Sequence, residues 1–159
     1  MLFAKVNGKH PGHVFKRKDS GAQVDALTGE ALSHRPLDRI EVIVNGRLHK
    51  SLIPVNKKTP AGGYSNPIHL DLNLKESSWI AVRCFERQPD GRERFAHTAP
   101  FHVEIAGQPV RPRKQEVDFL IRRVRDEIVR NADVLPDEAL AEFREALAIY
   151  EEIAKRARP

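Results

Sequence analysis

The chain has 159 residues, 40% of them hydrophobic and 31% charged, with one cysteine and a net charge of +5. That length holds one domain, or one domain with a small appendage, and the composition excludes a disordered chain. A lone Cys84 excludes an internal disulfide framework and a cysteine-based zinc set, and no apolar run is long enough for a transmembrane helix.

Residues 2–6 read as a strand directly after Met1. No basic region followed by a long apolar run stands there, so no signal peptide is expected. The abrupt start also suggests a chain cut at a domain boundary. Residues 23–32 read as a second strand whose phase slips near Thr28-Gly29, where a bulge is expected. Ile40, Val42 and Val44 alternate with Glu41 and Ile43. Asn45-Gly46 then supplies the positive φ angles of a tight hairpin turn, so residues 47–53 should return antiparallel. Residues 54–66, rich in Pro, Gly and Lys, read as loop. Ile68, Leu70, Leu72 and Leu74 alternate with His69, Asp71 and Asn73 in the cleanest half-buried strand. Residues 79–85 follow, with Ile80, Val82 and Cys84 on one face and Trp79, Ala81 and Phe85 on the other. Both faces ask for cover, so this strand should be central, with Trp79 and Cys84 both buried. After a polar turn at Pro89-Asp90-Gly91, Phe101, Val103 and Ile105 make a last strand. Strands at such short intervals describe a mostly β domain, an immunoglobulin-like antiparallel β-sandwich over residues 1–110.

After Pro112 the period changes to that of a helix. Val117, Leu120, Ile121, Val124 and Ile128 share one face over about residues 115–130. Pro136 in the first turn and Asp137 and Glu138 near the positive end suit a second helix. Its stripe is Leu140, Phe143, Leu147, Tyr150 and Ala154, with Glu151–Lys155 and Glu152–Arg156 pairs expected on the outer face. The short link makes residues 111–159 a C-terminal antiparallel helical hairpin, a two-helix extension expected to pack on the sandwich over the outer face of residues 79–85. The rival expectation is a homodimer through these C-terminal helices.

The charge is unevenly placed. Residues 1–110 carry 16 Lys and Arg against 11 Asp and Glu, whereas residues 111–159 carry 11 of each. The runs Lys16-Arg17-Lys18 and Lys57-Lys58 lack interleaved aromatics that stack on bases, so no nucleic-acid partner is expected, nor a membrane. His10-Pro-Gly-His13, His97 and His102 invite a metal reading, but no third ligand is set by spacing. His97-Thr98-Ala99-Pro100 reads instead as a bend whose side chains satisfy backbone groups. Ser77 and Ser78 lack a nucleophile elbow and suit the beginning of a strand. Cys84 reads as a small buried hydrophobe. No phosphate-binding loop and no dinucleotide fingerprint are present. The expectation is therefore no catalytic, cofactor-binding or metal-ligating residue and no cofactor.

Residues 77–83 (SSWIAVR), 96–100 (AHTAP) and 103–109 (VEIAGQP), with Val6-Asn7-Gly8-Lys9 and residues 37–46, carry a resemblance. Together they are similar to the C-terminal region of CehA/McbA-type metallohydrolases, which are carbaryl-hydrolase-like proteins with a PHP-type catalytic domain. The metal ligands of that family lie in the preceding catalytic domain, so none is carried over. The resemblance implies a non-catalytic accessory module, the C-terminal part of a larger metallohydrolase-like protein. Its implied partner is the catalytic domain of that parent, which such families often export. The alternative is a carbohydrate- or polymer-binding module, using a sheet face or the segment 54–66. An independent metal-dependent hydrolase comes last.

Overall fold

Ten strands stand among the described residues, gathered in two sheets, and seven of them cover the segments whose alternation reads as strand. The computed structural model describes residues 1–21 and 23–158. It divides into a first unit, residues 1–110, and a second, residues 111–159.

The first unit is a sandwich. Its smaller sheet has the order β1 (Leu2–Val6), β3 (Val24–Ser33), β7 (Tyr64–Asn73) and β6 (Lys57–Lys58). The larger sheet runs β2 (Val14–Arg17), β10 (Phe101–Ile105), β8 (Ser78–Arg87), β4 (Arg39–Val44) and β5 (Arg47–Leu52), with β9 (Glu93–His97) also on β8. All pairs are antiparallel except β2 with β10. Val6, Leu27, Ile40, Val42, Leu72, Ile80, Val82 and Phe101 fill the space between the sheets. At one end a buried Arg17–Asp25 ion pair at 2.5 Å joins the larger sheet to the smaller, and Asn7 also donates to Asp25 at 2.8 Å.

Several expectations hold. Asn45 and Gly46, at φ 50° and 77°, turn β4 back into β5. Asn7-Gly8 closes a similar turn after β1, and Gly107 (φ 74°) lies in the turn bridging Ile105 to Gln108. β8 is central, between β10 and β4.

Others are corrected. No bulge interrupts β3. Its register runs unbroken against both β1 and β7, and Asp25, Leu27, Gly29 and Ala31 stay on one inward phase. The apparent slip arises because an inward position holds glycine. A Cβ there would come within 2.9 Å of the Ala4 Cα, and closer still to the Phe3 carbonyl oxygen. The bulge lies instead between β4 and β5, where Val42 faces Lys50 and Ile43 faces Leu48, leaving His49 as the extra residue. The segment 54–66 is not wholly loop, since it contains β6 and the first turn-side residues of β7. β2, whose last two residues open the basic run Lys16-Arg17-Lys18, is too short for an apolar alternation to announce it. Trp79 is half-buried rather than buried, because it lies on the outward side of the larger sheet.

The second unit is an antiparallel helix pair, α1 (Lys114–Asn131) and α2 (Asp137–Lys155). The chain end returns to the start of α1, with Lys114 N–H donating to the Arg158 carbonyl at 2.7 Å and Arg158 N–H to Pro112 at 2.9 Å. Val117, Ile121 and Leu140 are buried, whereas Leu120 is 39% exposed, so the stripe of α1 is narrower than its spacing suggested. Pro136 stands just before α2 as its N-cap, not inside it. The outer pairs differ as well. Glu151 accepts from Arg125 of α1 at 2.7 Å, and Lys155 pairs with Glu152. Arg125 thus takes Glu151 and Lys155 takes Glu152, three residues back, in place of the expected Glu151–Lys155 and Glu152–Arg156 pairs.

Candidate binding face

The outward face of the larger sheet holds the densest group of aromatic and charged side chains. Its register sorts them into rows. Leu48, Ile43 and Ala81 oppose one another across β5, β4 and β8. Trp79, His102 and Val14 make a second row across β8, β10 and β2. Ser51, Glu41, Arg83 and His97 make a third, and Arg39, Phe85 and Phe95 a fourth.

The third and fourth rows are locked by charge. Arg39 Nε donates to Glu41 Oε1 at 2.8 Å, Arg83 Nε to Glu41 Oε2 at 2.5 Å, and Arg39 Nη1 to Glu93 at 2.8 Å. Burial opposes the Glu41 charge, but the hydrogen bonds from Arg83 and Arg39 outweigh it and hold the carboxyl below its ordinary range. Glu93 is likewise held low, chiefly by its hydrogen bond from Arg39. The Arg39 guanidinium carbon lies 3.7 Å from the Phe85 ring centre, a cation–π contact that covers the outward ring. This explains how Phe85 is buried on a face that points away from the core. Beyond it, Phe95 is 66% exposed and stacks on His97, with ring centres 6.3 Å apart and planes at 19°.

The residues singled out by sequence fall as follows. His10 and His13 belong to a turn into β2. Gly12, between them, donates to the Pro100 carbonyl at 2.8 Å, and His13 accepts from His102 N–H at 3.0 Å. Thr98 does bond the backbone, accepting from Val82 N–H at 3.1 Å through Oγ1 and donating its own N–H back at 2.9 Å. Ser77 Oγ accepts from Ile105 N–H at 2.7 Å, and Ser78 Oγ donates to the Glu76 carbonyl at 2.9 Å. Ser77 shares an open depression of about 460 Å³ with His102 and Glu104. No hydrogen bond joins these three among the described residues, and the serine hydroxyl is already engaged by backbone, so the group is not a nucleophile with its base. Cys84 is buried, and burial pushes its thiol up, as an inert structural cysteine requires. Among the described residues, no three His, Cys, Asp or Glu side chains are placed to hold a metal ion. No helix among them is long and apolar enough to cross a membrane.

The Arg39–Glu41–Arg83–Phe85 group was missed by the sequence reading. Its members lie 42 positions apart at Glu41 and Arg83, and only the pairing of β4 with β8 makes them neighbours. A glutamate in the middle of an apolar strand was the available signal.

No protein-family model matches the chain, and no curated protein does. Among solved structures, the fibronectin(III)-like modules of CbhA from Clostridium thermocellum are similar at 14% identity and a TM-score of 0.37, covering 64% of this chain and 96% of that one.

Proposed function

We propose that this chain is a non-catalytic accessory β-sandwich module that works by contact, presenting the outward face of its larger sheet to another protein domain. The observation that carries this reading is the set of aromatic and apolar side chains on that face, held on paired central strands and braced by the Arg39–Glu41–Arg83 network. A rigid, partly apolar surface with a polar frame suits protein contact. The resemblance to the C-terminal region of CehA/McbA-type metallohydrolases supplies the partner in this reading, the catalytic domain of a larger parent. The test mixes the chain with a purified catalytic domain of that type and follows co-sedimentation. Association that is lost in Ala81→Asp and Phe95→Asp variants supports the proposal. A chain that sediments alone refutes the partner. Turnover of nitrophenyl phosphate or acetate by the chain itself, dependent on zinc or manganese, refutes its non-catalytic character.

A second reading rests on Phe95 and His97, whose exposed stacked rings suit the apolar face of a sugar. A glycan array separates the two. Saturable binding that disappears in Phe95→Ala favours a carbohydrate-binding module.

A further inference from the structure

β5 is the last strand of the larger sheet, so one side of its backbone is free. None of its outward N–H or C=O groups bonds another backbone segment among the described residues. Four residues after it, β6 ends the smaller sheet. The strip formed by β5, the link and β6 is therefore one continuous edge of the sandwich.

Its chemistry is one-sided. Between Glu41 and Asp71 the chain contains no acidic residue, while Arg47, Lys50, Lys57 and Lys58 all fall on this strip. All four are exposed, and none forms an ion pair among the described residues. Apolar side chains stand between them in the open. Leu48 is 56% exposed, Val55 65% and Ile53 94%. Elsewhere on this unit the cations Arg17, Arg39, Arg83, Arg87 and Arg92 each have a carboxylate partner. Other cations of this unit also lack an ion pair among the described residues, Lys5, Lys9, Lys16 and Lys18 among them, but those of the strip stand together along a free strand edge with exposed apolar side chains between them.

A free edge pairs with an added strand through main-chain hydrogen bonds, and alternate side chains then set the choice of partner. A second copy of this chain is a poor occupant, because antiparallel β5 against β5 sets Arg47, His49 and Lys50 against their own kind. An acidic strand meets the same cations favourably. We propose that the β5 edge receives an extended peptide segment of another protein, in which acidic residues alternate with apolar ones. The acids meet Arg47, Lys50 and Lys57, and the apolar residues cover Leu48 and Ile53. This edge shares Leu48 with the outward sheet face but takes its partner through the main chain of β5, so the proposal does not require that face to bind a catalytic domain.

The probe is a fluorescein-labelled eight-residue peptide alternating Glu and Val, titrated into the full chain and followed by anisotropy and by amide NMR shifts. The expected result is saturable, salt-sensitive binding with shifts centred on residues 47–53. Binding should weaken about tenfold in a Lys50→Glu/Lys57→Glu variant, two charge reversals at an exposed site. It should vanish when alternate peptide amides are N-methylated, tested in both phases. A Lys50→Gln/Lys57→Gln variant replaces the first should that one fail to fold. Equal binding of the N-methylated peptides would remove strand pairing from the proposal, and equal binding of a Lys–Val peptide would remove charge selection. Tighter binding of single-stranded DNA to the same cations would reassign the strip to nucleic acid. Failure of the Glu–Val peptide to bind at millimolar concentration would leave the cations as a solvated, protective edge and overturn the proposal.

Discussion

Replacing Gly29 by alanine tests the packing of the smaller sheet at its tightest point. Gly29 is an inward position of β3, paired with Ala4 of β1 and Ile68 of β7. Its φ is not in the left-handed region, so alanine meets no backbone strain there. In an ordinary strand the substitution stabilises by about 0.4–1 kcal/mol, because it reduces the freedom of the unfolded chain. Here the new methyl would sit 2.9 Å from the Ala4 Cα, where 3.4 Å is the lower bound of ordinary contact, and the Phe3 carbonyl oxygen is nearer. Both obstacles are backbone, which cannot swing aside like the end of a side chain. β1 must therefore move outward, at an overpacking cost of about 1–3 kcal/mol. The balance is a net loss of roughly 1–2 kcal/mol. Urea unfolding with an unchanged slope measures it, and amide exchange should show lost protection across residues 2–6 before the rest of the sheet. A Gly29→Ala variant as stable as the wild type would refute the reasoning. It would mean that the two strands do not approach closely and that the phase of β3 does slip.

Three further outcomes follow from the buried charges and the outward tryptophan. Arg17→Met should destabilise by about 3–5 kcal/mol in thermal or urea unfolding, since it leaves the Asp25 carboxylate fully buried without its cation. Trp79→Ala should cost about 2 kcal/mol, below the range for a fully buried tryptophan, and the native emission maximum should lie between those of buried and free indole. Glu41 has a folded pKa below its ordinary value of 4.5, so its stabilising contribution is present above that value and is lost as pH falls through the folded pKa. Acid titration of stability should therefore show a decline beginning near pH 4.5, and Glu41→Gln should reduce that slope. A variant with the wild-type acid profile would place the linkage elsewhere.

The sandwich class, the Asn45-Gly46 hairpin, the central place of β8 and the helix pair were all legible in the sequence. Each of these is written in local patterns: alternation, the turn chemistry of Asn-Gly, or a change of period after Pro112. Tertiary structure decided what depends on neighbours remote in the chain. Gly29 looks like a break in phase until β1 is seen against it. β2 is too short for an apolar alternation, and it is held by the parallel pairing with β10 and by the Arg17–Asp25 contact. Trp79 reads as core because its flanks are apolar, yet apolar flanks do not say which side of a sheet faces the other sheet. Phe85 is buried on the outward side because Arg39, Arg83 and Phe95 gather against its ring, and none of them adjoins it in the chain. The unpaired edge of β5 was likewise invisible. Its cations stand in the sequence, but a strand becomes an edge only when the order of the whole sheet is set, and that order is fixed by contacts between residues far apart in the chain.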